Sequence, residues 1–447
     1  MPIGTLDPLA EPIVAMLVGA IQWFGGSVRF CFVHAADLHL DTPFSGIGEA
    51  APEVSDALRR ASLDAFDGLI DLAIEREAAF VVFAGDIYDG AERGVAAQLR
   101  FRRGLQRLSD NGISSLIVHG NHDPVKVGWS AIRDWPDLVT VFDFKDVGEV
   151  AVEWRGEEIA TVYGISYEKR EQTENLALRF QRVSGPGIHV GVLHANAGNN
   201  QDHDPYAPCS LDDLAKADLD YWALGHIHKR QILRSENPWI VYSGNLQGRS
   251  PKPSEMGAKG AYVVEVDGTA IAVPEFVALD KIRFQEMELD VSEMDLADVE
   301  SELLNMGDQA LADADSRSLL VRCSLKGSGD IHDDLARREA VEELLTELRE
   351  ESKGQLPFLW WESLKDRTTS VIAIDAIRER GDFSAELLAL ADELAAKSEG
   401  GFVENVVERL PTTKLERLGV DLPSVEDPAL LDDAVTLAIE LLEGGGT

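Results

Sequence analysis

The residues best suited to chemistry are carboxylates, imidazoles and one amide, gathered in five short clusters. They are Asp37 with His39; Asp86; Asn121 with His122 and Asp123; His194; and His226 with His228. Nine of the ten histidines fall between His34 and His228. The clusters offer oxygen and imidazole nitrogen donors and no thiolate. The three cysteines, Cys31, Cys209 and Cys323, stand far apart with no metal-thiolate spacing. Such a donor set suits a pair of divalent first-row ions, such as Mn2+, Fe2+ or Zn2+. A single "GD" after a strand is often just a turn, and a lone histidine is more often a satisfied core or surface residue than a ligand. Five clusters in fixed order, each closing an apolar run, carry more weight than any one alone.

The elements that must position these groups read as strands. Val28 to His34 (VRFCFVH), Ala79 to Ala84 (AFVVFA) and Ser115 to His119 (SLIVH) are apolar and rich in β-branched or aromatic residues. Between them lie helical patterns, roughly 51–76 and 95–108. The order βαβαβ predicts a parallel sheet with right-handed crossovers. In such sheets ligands gather at the carboxyl ends of the strands, so the polar clusters converge on one edge. From Leu138 the texture changes to short alternating strands with Gly and acidic turns, continuing to about Phe276. "GIHVGVLHANAG" and "LDYWALGHIHKR" repeat the design of a strand with a polar end. The expected fold class is α/β (α+β): two packed sheets flanked by helices.

A second unit is expected near Ile282. "IRFQEMELDV" and "LLVRCSL" read as strands, and 292–316 and 333–350 as helices, the first of them acidic. The domain plan is an extension over 1–27, a catalytic domain over 28–280, a small α+β cap over 281–350, and a mostly helical region over 351–447. In that last region "PFLWWESL" and a stripe of Phe383, Leu387, Leu390 and Leu394 could pack on the protein itself or dock a partner. Asp427 and Pro428 form a good helix start. The apolar run 13–24 is too short to span a bilayer and lacks the positive flank of a secretory signal, so no membrane partner is expected.

Net charge is −38. A chain this acidic is repelled by nucleic acid at long range, so a phosphate-bearing substrate needs a local cationic feature, and bound metal ions are the obvious one. Widely spaced cysteines fit a reducing cytoplasm.

The order DxH, GDxxD, GNHD, H and GHxH resembles the calcineurin-like metallophosphoesterase superfamily. The finer texture ("HAADLHLD", "AGDIYD", "VLHANAG", "GHIHK", "YSGNLQGRS") is similar to its SbcD-type branch, which includes the YhaO-like DNA repair exonucleases. The resemblance covers Val28 to about Phe276. It implies one metal held by Asp37, His39 and His228, another held by Asn121, His194 and His226, and Asp86 bridging the two. Two ions on the order of 4 Å apart can activate water and clamp both ends of an in-line displacement at phosphorus. The same resemblance implies that His122 stabilises the pentavalent transition state and protonates the leaving oxygen, with Asp123 holding its imidazole. It also implies DNA as substrate and an SMC-type coiled-coil ATPase as partner; a homodimer is compatible too.

One departure stands out. Some branches carry a histidine three positions after the bridging aspartate, where this chain has Asp89. Asp89 is expected to be a turn residue or an acceptor for a ligand histidine. His34 and His119 read as structural or supporting, and His189, His203 and His332 as surface residues. Arg100, Arg103 and Arg107 share a helical face, and Lys229, Arg230 and Arg249 lie near motif ends. Each set either contacts phosphate or is simply solvated charge. Two rival functions remain: a dimetal esterase for a small phosphodiester such as a cyclic nucleotide, and a non-catalytic scaffold on the same fold.

Overall fold

The structure is a computed structural model. It describes residues 28–40, 42–45, 51–90, 94–127, 130–198, 206–370 and 377–397, with isolated positions between 434 and 442. The extension 1–27, His203 and the Asp427–Pro428 helix start lie outside the described residues. The chain divides into two compact units near residue 285.

The first unit opens with β1 (Arg29–Ala35), α1 (Pro52–Glu75), β2 (Phe80–Ala84), α2 (Val95–Asp110), β3 (Ser114–Val118) and β4 (Val139–Val141). It continues through β5 (Gly148–Trp154), β6 (Glu157–Gly164), β7 (Ile188–His194), α3 (Leu211–Lys216), β8 (Tyr221–Gly225), β9 (Gln231–Ser235) and β10 (Trp239–Tyr242). It closes with β11 (Gly260–Asp267), β12 (Ala270–Ile271) and β13 (Glu275–Ala278). One sheet runs β12-β11-β1-β2-β3-β4, with β13 also on β11; the other runs β5-β6-β7-β8-β10-β9. The β1–β2, β2–β3 and β3–β4 pairs are parallel, as are β6–β7 and β7–β8. The expected two-sheet α/β class is therefore the observed one.

Strand alternation explains the layers. Phe80, Val82 and Ala84 of β2 face the second sheet, where they meet Val190, Val192, Tyr221 and Ala223. Phe32 and Phe80 stack there at 4.8 Å between ring centroids. Truncating Phe80 to Ala would cost about 3–5 kcal/mol, the usual penalty for a core aromatic. Val81 and Phe83 point the other way, into α1 and α2, against Phe66, Leu69, Phe101 and Leu105. Proline inside the first turn helps start α1. The two helices approach closely because Gly104 is bare: a Cβ there would lie 2.5 Å from Phe66. The far face of the second sheet buries Leu193, Trp222, Leu224 and Ile240 beneath Leu176 and Leu214.

The second unit contains β14 (Ile282–Asp290), α4 (Leu296–Ala312), β15 (Ser318–Ser328), α5 (Ile331–Leu335), α6 (Ala340–Glu351), β16 (Leu359–Thr369) and α7 (Phe383–Lys397). Asp295 caps the acidic helix α4 through a capping box with Asp298. Strands β14, β15 and β16 form a three-stranded sheet. Here the expected boundary at 350 is corrected. "LWWESL" supplies the third strand of the small sheet, with Leu359, Trp361 and Leu364 buried, rather than opening a helical region. Gly307 of α4 leaves room for Leu359 and Trp361, to which a Cβ would come within 3 Å.

The expected α7 stripe is corrected as well. Ala385 and Leu388 are buried, Leu388 meeting Ile377 and Ile439 with Leu387 of the stripe packed against them, while Phe383 and Leu390 are exposed and the Leu394 side chain lies outside the described residues. His189 is corrected from surface to core. It is fully buried on β7, with Nδ1 2.8 Å from the Tyr163 hydroxyl. His34 is structural: its Nε2 donates to the Leu224 carbonyl at 3.2 Å, and burial pushes its pKa down to about 3.

Candidate metal centre

The strand ends β1, β2 and β3 meet those of β7 and β8 at a single rim. The loops there are tied to one another: the amides of Asp37, His39 and Leu40 donate to the carbonyls of Gly85, Asp86 and Ile87 at 3.0–3.1 Å. The chain reaches this arrangement through left-handed backbone at Asp37 (φ 51°), His39 (43°), Asp86 (51°) and His226 (98°). Such conformations cost a non-glycine residue about 1–3 kcal/mol each and persist only where the surroundings fix them. Motif glycines supply the space. A Cβ on Gly120 would lie 2.3 Å from Asp86 Oδ1 and 2.7 Å from His194 Nε2; one on Gly85 would lie 2.3 Å from His194 Nδ1.

Among the described residues, three groups of side chains bring ligand atoms within 4.8 Å of one another: Asp37, His39 and His228; Asp37, Asp86 and His194; and His39, Asp89 and His122. Asn121 joins the second group, its Oδ1 2.9 Å from His194 Nε2. Asp86 Oδ2 lies 3.3 Å from His194 Nε2 and 3.9 Å from His39 Nε2, so it reaches toward both of the first two groups. Asp37 does the same. His226 gives its backbone amide to Asp37 and holds its ring 5.3 Å from that of His194, outside these close groups.

The tautomers are set from behind. His194 Nδ1 donates to the Ala84 carbonyl at 2.9 Å, which leaves Nε2 facing Asp86 and Asn121. His228 Nδ1 is held by Glu255 Oε1 at 2.5 Å, which leaves its Nε2 3.2 Å from His39 Nε2. Ring nitrogens and carboxylate and amide oxygens thus converge on one point, a set of donor atoms that a cation can share. Burial opposes a proton on His194, yet the charges of Asp86 and Asp37 and the Asp86 contact push its pKa up to about 9. Burial also opposes charge on Asp86, and His194 and His39 overcome it, holding its carboxyl well below the usual range. Oxygen and imidazole donors of this kind fit a divalent first-row ion.

Two supporting residues escaped the sequence reading. Glu255 ties His228 to Asn245 Nδ2 and to the Arg249 amide, and despite burial its pKa falls to about 2 through His228. Lys259, buried at the start of β11, donates its Nζ to the His228 carbonyl at 2.9 Å. Neither carries a local motif signal, because both reach the site from loops after the last cluster.

His122 stands where the clusters predict, but its partner is corrected. Its Nδ1 meets Asp89 Oδ1 at 2.5 Å, and its amide donates to Asp86 Oδ1 at 2.9 Å. Burial disfavours the imidazolium, but Asp89 and Asp86 outweigh it and raise the His122 pKa. Asp123 points inward instead. It is fully buried and accepts from the amides of Gly120 (2.8 Å) and Ile87 (2.9 Å) and from His119 Nδ1 (2.9 Å). It holds the loop, not the His122 imidazole.

Asp86, Asn121, His122, His226 and His228 line a cavity of about 430 Å3. Arg249 also lines it, with Arg170 and Lys252, which the sequence reading did not single out. Lys229 is exposed and lies outside that lining. Arg230 covers the Phe276 ring instead. Arg100 pairs with Asp67 and Arg107 with Asp71 of α1, which favours the solvated-charge reading of that row. A larger cavity of about 560 Å3 lies at the other end of β1, beside Arg29, Trp154 and Arg155, and none of the polar clusters lines it.

The chain is similar to known proteins over both of its units. Residues 31–230 match the family described as "Calcineurin-like phosphoesterase", and residues 284–369, spanning β14 to β16, match "Metallophosphoesterase YhaO, middle domain". The chain is 35% identical over 339 residues to the "Uncharacterized metallophosphoesterase YhaO" of Bacillus subtilis, covering 75% of this chain and 81% of that protein. It is 27% identical over 260 residues to the "DNA double-strand break repair protein Mre11" of Methanocaldococcus jannaschii, covering 56% of this chain and 66% of that one. The Haloferax volcanii protein of the same description is 26% identical over 306 residues, covering 67% of this chain and 62% of its own length. The chain belongs to the calcineurin-like metallophosphoesterases, in their YhaO-like branch.

Proposed function

We propose that this protein is a two-metal phosphodiesterase that hydrolyses DNA, an exonuclease of DNA repair acting with an SMC-type coiled-coil ATPase. The observation that carries the reading is the meeting of Asp37, His39, Asp86, Asn121, His194 and His228 at one rim, with their nitrogen and oxygen ligand atoms turned toward one another. Asp37, His39 and His228 would hold one ion, and Asn121, His194 and His226 the other, with Asp86 between them. Two divalent ions held there would supply activated water and neutralise charge on phosphate oxygens. Mn2+ is the first choice, with Fe2+ or Zn2+ suited to the same donors.

The chain's own residues supply the rest. Asp89 fixes the His122 imidazole and favours its protonated form, so Nε2 carries the proton that a leaving oxygen needs. Holding His122 by its Asp86 contact as well keeps the acid in register with the ligands. Asp123 keeps the Gly120–His122 turn shaped for both tasks. The retention of these groups argues against a non-catalytic scaffold.

Similarity to proteins described as DNA double-strand break repair proteins supports DNA as the substrate. The cationic lining by Arg170, Arg249 and Lys252 supports it too, in a chain of net charge −38. The exposed Phe383 and Leu390 of α7 support an ATPase partner docking on the C-terminal region. The test is a panel of linear duplex DNA, single strands and cyclic nucleotides with Mn2+. DNA is expected to shorten from its ends, and more so with the partner present. Intact DNA beside brisk cyclic-nucleotide turnover would overturn the reading.

A further inference from the structure

Arg249 is a buried cation that the metal centre does not use. It is only 8% exposed, its Nε finds no hydrogen-bond partner among the described residues, and it lines the cavity beside His122. A guanidinium has five donors, and leaving one buried and unpaired is costly. Among the described residues its guanidinium pairs only with Asp89, at 3.9 Å from Nη1, too far for a hydrogen bond, and Asp89 is already engaged by His122 and by Thr42 Oγ1 at 3.0 Å. Arg249 therefore keeps free donors for two oxygens of an anion such as phosphate.

Its position is fixed relative to the metal ligands. The Arg249 amide donates to Glu255 Oε2 at 3.0 Å, while Oε1 of the same carboxylate holds His228. Its carbonyl accepts from the Ser45 amide at 3.0 Å. One carboxylate thus sets the spacing between the guanidinium and the imidazole that faces the metals. The guanidinium lies on the His122 side of the cavity, where the leaving group departs.

We infer that Arg249 forms a second anion subsite, which holds the phosphate next to the one being cleaved and so selects strands over isolated phosphodiesters. This rests on the proposed phosphodiesterase reading and names its substrate feature. A single phosphodiester, or a cyclic one, has nothing to place there. Each further phosphate in a strand does.

The test compares the dinucleotides TpT, pTpT and TpTp with Mn2+, in the wild type and in Arg249→Gln. One phosphorylated dinucleotide is expected to be cleaved with a kcat/KM on the order of tenfold to a hundredfold above TpT, and the advantage should collapse toward unity in Arg249→Gln. Because the readout is a ratio within one protein, a general loss of activity does not imitate it. A binding arm avoids turnover: calorimetry should show thymidine 3′,5′-bisphosphate binding wild type more tightly than thymidine 5′-phosphate, and that preference should vanish in Arg249→Gln and largely return in Arg249→Lys. If Arg249→Gln fails to fold, the wild-type ratios alone decide. Cleavage of all three dinucleotides at equal rates, or an advantage that survives Arg249→Gln, overturns the subsite and leaves the phosphodiesterase reading standing. Failure to cleave any dinucleotide, with cyclic nucleotides turned over, overturns the subsite together with the reading of DNA as substrate.

Discussion

His194 and His228 both present Nε2 to the centre of the rim, and each is frozen from behind by a different device. His194 is fully buried, and the main chain holds it: the Ala84 carbonyl takes its Nδ1 proton, and Gly85, Gly120 and Gly225 leave it room. His228 stands at the cavity wall, and side chains hold it: Glu255 takes Nδ1, while Lys259 anchors its carbonyl. A backbone anchor is as rigid as the strands and cannot be changed by one substitution. A side-chain anchor is adjustable, and Glu255 uses the same carboxylate to place Arg249. The difference teaches that the buried half of the centre is part of the fold, while the outer half is coupled to whatever enters the cavity.

The strongest way to erase this contrast is to attack what both halves share. Asp86→Asn, or Gly120→Ala with its Cβ driven into Asp86 and His194, should remove both ions and lower turnover by about a thousandfold or more. Metal content per folded chain, measured beside activity, checks it. If either variant retains both ions, Asp86 does not link the two halves.

His122→Ala should separate chemistry from metal binding. Turnover should fall about a hundredfold to ten-thousandfold while metal content holds, the usual range for a lost general acid. Asp89→Asn sharpens the point through pH. Asp89 raises the His122 pKa, so activity that needs the protonated ring persists to higher pH in the wild type than in the variant. A pH–rate profile whose alkaline limb does not move to lower pH would remove Asp89 from its role.

Much of this contrast lay in the sequence, and part could not. Asp37, Asp86, Asn121 and His194 were legible because each closes an apolar strand, and parallel strands must end together. The partners of His122 and His228 were not legible. Asp123 is adjacent to His122 in the chain yet turns inward, since two loop amides and His119 compete for its carboxylate. Asp89 and Glu255 lie 33 and 27 residues from the imidazoles they hold, and loop packing alone brings them there. The strand β16 was hidden for a similar reason. Its apolar run is short, so Leu359 and Trp361 fit a strand or a helix until β14 and β15 are seen to need a third neighbour.

A subtler variant tests the outer half alone. Glu255→Gln should weaken one of two ions about tenfold to a hundredfold, as loss of a carboxylate behind a ligand histidine commonly does, and leave the other unchanged. Stepwise Mn2+ titration checks this; equal weakening of both ions would abolish the distinction between the halves. The smallest effect belongs to Asp123→Asn. It should cost about 1–3 kcal/mol of stability through poorly satisfied buried partners, with activity per folded molecule little changed. Denaturant unfolding followed by assay of the folded fraction would show it.

The most direct measurement of the central idea is the number of Mn2+ ions bound per chain, taken by calorimetric titration of metal-free protein and verified by elemental analysis. Two ions binding in unequal steps, both lost in Asp86→Asn, is the predicted result. No retained ion, or the same binding in wild type and Asp86→Asn, would contradict it.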